Sequence, residues 1–217
     1  MDYDFTVKLT AIDIKGIFCY KLLELIQVGP QAQFILPNRL TGSKTSLYIA
    51  TRWEDNFVPL SGNIEEAVGA DVLVQILLLA KFLFINDLHS DNCGYWKDTK
   101  EVAIVDFMPK AFFTFVNVKR AFLNNDSSVY WNSGHIDALE ECDEETRMKV
   151  ARKSLTKWDL LSNIDLAYEQ ITPEKDRMKQ HEIGCKGCYS PTEELEQYIN
   201  TVKHNIIKLS ELFKASE

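Results

Sequence analysis

A chain of 217 residues that is 46% apolar is long enough to bury the core of one domain, or of one domain with a helical extension. Its formal net charge of −8 argues against nonspecific binding to nucleic acid or anionic lipid as the main activity. Five cysteines, an odd number in a chain of this length, do not make a disulfide scaffold. The apolar stretch from Val72 to Ile85 is interrupted by Gln75 and Lys81 and falls short of the ~20 residues that span a bilayer. Met1-Asp2-Tyr3-Asp4 has neither the basic start nor the apolar run of a secretory signal. These features predict a cytoplasmic protein in a reducing compartment, with no nucleic-acid partner and no membrane span.

Phe5-Thr6-Val7-Lys8-Leu9 alternates apolar and polar, the period of a half-buried strand, which sets Lys8 on the face opposite Phe5, Val7 and Leu9. Phe18, Leu22, Leu25 and Ile26 recur at helical spacing and stop at Gly29-Pro30. Residues 32–36 and 46–50 read as two further strands around a turn region containing Pro37-Asn38 and Thr41-Gly42-Ser43. Residues 54–62 read as a connector. Asn63 followed by Glu66 has the spacing of a capping box, opening a helix that is apolar nearly all round through Ile85 and is therefore buried on all sides. Residues 86–93 are polar and turn-like. Two short strands, 94–96 and 102–105, then flank the polar tip Lys97-Asp98-Thr99-Lys100.

Beyond about Phe115 the pattern turns helical. Residues 137–145 are rich in acids and are followed by Arg147, Lys149, Arg152 and Lys153, an order that suits the two ends of a helix dipole. The last helix opens with Ser190-Pro191-Thr192-Glu193 and carries the stripe Leu195, Tyr198, Ile199, Val202, Ile206, Leu209 and Phe213. The four tryptophans are scattered without interleaved bases and read as packing residues, and Cys19 and Cys93 as packing or cleft-lining residues.

The chemistry is concentrated in two segments, Asp87-Leu88-His89-Ser90-Asp91-Asn92 and Ile104-Val105-Asp106-Phe107. A buried helix delivers a loop with an acid, an asparagine follows five residues on, and a hairpin sets a second acid just past a β-branched strand. Phosphoryl transfer needs one carboxylate to orient or deprotonate the acceptor hydroxyl. It also needs hard oxygen ligands to hold magnesium against the phosphates. Asp-x-His-x-x-Asn followed by Ile-Val-Asp-Phe resembles the catalytic and metal loops of the protein-kinase-like superfamily. It is closest in motif to the aminoglycoside and choline phosphotransferases and to atypical kinases with that loop.

The resemblance runs from the start of the chain to about Pro109. It implies an α+β, protein-kinase-like fold, with a small strand-rich N-lobe over residues 1–54 and a larger helical C-lobe over residues 55–217. Asp87 would be the catalytic base, Asn92 and Asp106 the metal ligands, and Lys8 the contact to the phosphates with Glu24 as its helix partner. ATP and Mg would be the cofactors. The implied activity is Mg-ATP-dependent transfer of phosphate to a hydroxyl of a protein or a small molecule. A pseudokinase acting as an interaction module, or a transferase of another nucleotide chemistry, is the alternative. The pattern departs from the family in three places. The seven residues ahead of Lys8 contain no glycine-rich loop, Glu24 lies near the end of its helix, and Asp106-Phe107 is followed by Met108-Pro109 in place of glycine. Within the loop, His89 reads as backbone support and Asp91 as a rival of Asp87 for the role of base. Separately, Cys185-Lys186-Gly187-Cys188 reads first as a loop; with His181 it also offers three soft ligands at zinc-like spacing, and a redox dithiol is the third reading.

Overall fold

The computed structural model describes residues 5–11, 13–35, 46–52, 55–61, 69–110, 113–115, 117, 120, 139–180 and 191–214. The chain is α+β, with its strands in the N-terminal half and a helix-rich C-terminal region. It divides into two compact units, Met1–Asp55 with Ser162–Asn200, and Asn56–Leu161 with Thr201–Glu217.

In the first unit the alternating segment forms β1 (Phe5–Ala11), followed by α1 (Ile14–Leu25), β2 (Ala32–Ile35) and β3 (Ser46–Arg52). The sheet is antiparallel in the order β1-β3-β2, and its register sets Lys8 and Phe34 on either side of Ile49. Helix α1 starts where Asp13 accepts a hydrogen bond from the Lys15 backbone N–H at 2.9 Å, satisfying one of the open donors of the first turn. It ends in a left-handed residue, Gln27 (φ 60°), after which the N–H groups of Val28 and Gly29 both return to Leu23 O at 2.9 Å.

α1 is buried on every side from Ile14 to Tyr20, so its apolar stripe does not by itself decide how it sits. Polar contacts do. Three further helices follow the second unit's elements: α4 (Leu160–Gln170), α5 (Thr172–Gln180) and α6 (Pro191–Lys214). The opening turns of α6 meet α1 twice, one turn apart on each helix. The ammonium of Lys15, a residue only 3% exposed, bonds the Glu194 carboxylate and stands 3.4 Å from Asp13. One turn on, Cys19 Sγ lies 3.1 Å from the Tyr198 hydroxyl, and the Phe18 ring packs edge-on to Tyr198 at 6.0 Å. A buried cation tolerates only a register in which its carboxylates face it.

The second unit is built around α2 (Ala70–Phe82), buried except at Ala70, Asp71, Gln75 and Lys81. Gln75 donates to the Ser154 hydroxyl at 2.9 Å on α3 (Glu144–Trp158). The capping box expected at Asn63 and Glu66 lies outside the described residues, and α2 begins after Gly69 with no side-chain cap. α3 is capped by Asp143, which accepts from Thr146 N at 2.7 Å, with Glu144 and Glu145 in its first turn and Lys157 in its last. The end of the acidic run thus serves the helix terminus. Every member of the expected α6 stripe is buried, from Leu195 to Phe213.

Residues 57–59, expected as part of a connector, form a strand, β4 (Phe57–Pro59). It pairs with β6 (Cys93–Trp96), which pairs in turn with β7 (Val102–Ile104). The reason lies on the partner strand: a Cβ at Gly94 would stand 1.9 Å from Val58 O, so only glycine lets β4 come this close. Trp96 packs edge-on to Phe57 at 6.0 Å and Trp158 is buried, as expected of packing residues. No helix among the described residues is long and apolar enough to cross a membrane.

Burial of the Cys19 thiol and the Tyr198 phenol should make the first unit sensitive to alkali. Burial pushes the Cys19 thiol up to about 12 and raises the Tyr198 phenol well above its usual range. Both protons stay on in the folded chain while the unfolded chain releases them, so the stabilisation is full below pH ~9 and is lost as pH rises towards 12. Unfolding free energies from urea titrations should fall from pH 8.5 to 10.5, by up to ~1.4 kcal/mol per pH unit for each group. Cys19→Ala, measured over the same range, should show a shallower decline.

Candidate functional site

Two short ladders in the second unit bring the backbone segments that carry Asp87, Asn92 and Asp106 together. The first begins where α2 stops. Leu83 closes the helix, and Phe84 turns the chain in a left-handed conformation (φ 49°) that a bulky side chain rarely adopts. The turn is held by Lys110 N donating to Phe84 O at 2.7 Å and by the Phe84 ring against Phe113 at 6.4 Å. β5 (Ile85–Asn86) then pairs with β8 (Met108–Pro109), Asn86 opposite Met108. Pro109, which has no N–H, sits one residue along from that pair and opposite Ile85.

The next residue, Asp87, is again left-handed (φ 64°), a conformation that aspartate tolerates better than most residues. From here to Asn92 the loop is closed on itself. Asn92 Nδ2 donates to Asp87 O at 2.8 Å, and Asn92 N donates to His89 O at 2.9 Å. Because the amide nitrogen is committed to Asp87, the orientation of the Asn92 side chain is fixed, with its Oδ1 at the other end of the amide. The Cys93 thiol, buried and pushed up to about 12, lies 3.3 Å from His89 O and fills the space beneath the loop. Among the described residues, Leu88 is the loop member that is fully buried.

The second ladder is the β6–β7 hairpin. It pairs Cys93 with Ile104, and Val105 N donates to Asn92 O at 2.9 Å one residue further. Residues 105–108 are therefore tied at one end to Asn92 and at the other to Asn86, the neighbour of Asp87. Asp106 sits between those two ties. Its Oδ1 accepts from Phe107 N at 2.8 Å, which sets the carboxylate against its own backbone, while the Phe107 side chain is buried beneath it.

His89 supports the backbone, as expected. Asp91 N donates to its Nδ1 at 3.3 Å, a bond that requires that nitrogen unprotonated. Asp91, the rival of Asp87, has its Oδ1 engaged by the Ser61 hydroxyl. Ser61 carries no motif and was invisible in the sequence. Lys8 and Glu24 belong to the first unit. Lys8 lies in the middle of β1, its side chain outside what the structure describes. Glu24 Oε2 accepts from Lys21 Nζ at 2.7 Å and from Ala32 N at 3.3 Å. His181, Cys185 and Cys188 lie outside the described residues.

Among the described residues no three His, Cys, Asp or Glu side chains gather as a metal-holding group. The cluster built by the two ladders offers two carboxylates and one amide. No family model, no curated protein and no solved structure matches the chain.

The loop closure is testable without reference to function. Asn92→Asp replaces the donor facing Asp87 O by an acceptor and should lower stability by about 1–3 kcal/mol, read from urea unfolding. Asn92→Ala should lose less, because it removes the bond without setting two acceptors against each other.

Proposed function

We propose that the chain is a magnesium- and ATP-dependent phosphotransferase of protein-kinase-like type, acting on a hydroxyl of a protein or small molecule. The observation that carries the reading is the pair of ladders that set Asp106 between Asn92 and the neighbour of Asp87, with Asn92 bonded to the Asp87 carbonyl. Two further features support it: the order of buried helix, ribbon strand, polar loop and hairpin, and the antiparallel order β1-β3-β2 around a helix in the first unit.

The donor set fits magnesium. A carboxylate from Asp106 and the amide oxygen of Asn92 are hard ligands, and magnesium keeps several of its waters, so two protein groups suffice. Magnesium would neutralise charge on the transferred and leaving phosphates. Asp87 is the group assigned to the acceptor: its carboxylate orients the hydroxyl and takes the proton as the new oxygen–phosphorus bond forms. The phosphate's bond to the ADP oxygen breaks as that bond forms, and ADP departs. The residues given roles in this chemistry all belong to the second unit.

One observation favours a second reading, a kinase-derived interaction module without turnover. Glu24, the candidate partner of Lys8, has its carboxylate engaged by Lys21 and Ala32 N. Nucleotide binding separates the two readings.

Calorimetry with ATP should show binding that needs magnesium and is lost in Asp106→Asn while the fold persists. Asp87→Asn, chosen because asparagine also tolerates the left-handed backbone, should keep that binding and lower turnover by ~10²–10⁴-fold. Magnesium-dependent binding that survives Asp106→Asn would remove the metal assignment, and no binding at all would leave the interaction module.

A further inference from the structure

We infer that Ser61 and Asp91 form a clasp that positions Asn92, which makes Asp91 a positioning residue and not a second candidate base. The inference deepens the phosphotransferase reading, and only its magnesium arm depends on that reading. Residues 60–61 leave β4 and run alongside the loop. Three bonds join the two segments: Leu60 N to Cys93 O at 3.0 Å, Ser61 N to Ser90 O at 3.0 Å, and the Ser61 hydroxyl to Asp91 Oδ1. The residues gripped, 90, 91 and 93, surround Asn92 on both sides. Asn92 itself is held from within by Asp87 O and His89 O and from the hairpin by Val105 N.

The Ser61–Asp91 bond is at the surface, so its leverage comes from where it acts. Of the three bonds it alone is made by side chains, and it fixes the residue immediately before Asn92. Asp91 is also tied to His89, whose Nδ1 accepts from Asp91 N at 3.3 Å. Loss of the clasp leaves the two backbone bonds and the fold in place, while Asn92 gains freedom to turn its amide away from the position the metal requires.

The test compares Ser61→Ala, Ser61→Thr, Asp91→Ala and the Ser61→Ala/Asp91→Ala double variant. Amide hydrogen exchange at Asn92 and Val105 is followed by NMR in the absence of any ligand. Ser61→Ala and Asp91→Ala should each speed exchange roughly threefold to tenfold, and Ser61→Thr, which keeps the hydroxyl, should match the parent. The double variant should be no faster than the faster single one, because both remove the same bond. In titrations of Mg²⁺ at fixed ATP, the two alanine variants should raise the magnesium needed for half-maximal nucleotide binding by a similar factor, roughly threefold to tenfold. Unchanged exchange in Ser61→Ala, or additive effects in the double variant, overturns the clasp. If the exchange pattern holds but the parent binds no ATP with magnesium, the clasp stands and the phosphotransferase reading falls.

Discussion

The arrangement of the candidate site depends on one hydrogen bond, from the Asn92 side-chain amide to the carbonyl of Asp87. It closes a six-residue turn whose first member is held in a left-handed conformation, and it commits the nitrogen end of the amide so that the oxygen end has a defined position. Everything around it reinforces that closure. The Cys93 thiol sits beneath the loop, Val105 reaches across to Asn92, and the β5–β8 ribbon fixes the approach to Asp87. Two left-handed, non-glycine residues, Phe84 and Asp87, stand three positions apart, and each costs of order 1 kcal/mol or more unless its surroundings enforce it. Such strain is retained where geometry matters more than local stability.

The first unit uses a different constraint. An all-round apolar helix such as α1 can rotate or slide against its neighbours with little change in buried area. Lys15 removes that freedom, because a cation buried to 3% exposure must meet carboxylates, and Glu194 and Asp13 supply them. Cys19 and Tyr198 repeat the match one turn along. Both units therefore combine an apolar bulk with a few polar contacts that select one arrangement from several of similar burial.

Much of this was legible in the sequence wherever the signal was periodic. The alternation in β1, the stripes of α1 and α6, and the apolar run of α2 gave their element types, but α2, expected to run through Ile85, stops at Phe82, and Ile85 lies in β5. The spacing of Asp87, Asn92 and Asp106 marked the loop and the strand end that the ladders bring to one cluster. What was hidden has a common cause: it depends on partners far along the chain. β4 is three residues long, and its best evidence is a glycine on another strand, Gly94. The β5–β8 ribbon has two residues a side, too few for any period. Ser61 acquires its role from Asp91, thirty residues away. Glu24 lies on the expected helix but near its end, and its bonds to Lys21 and Ala32 N depend on partners that its helix position does not reveal.

The central claim is that Asn92 and Asp106 share one divalent cation with a nucleotide. Paramagnetic broadening by Mn²⁺ in the presence of ATP tests it most directly, since manganese takes the same hard ligands as magnesium. The Asn92 side-chain amide and the backbone amides of residues 106 and 107 should broaden selectively at substoichiometric Mn²⁺, and stay sharp in Asp106→Asn. Broadening that is absent from these resonances, or that is undiminished in Asp106→Asn, would contradict it.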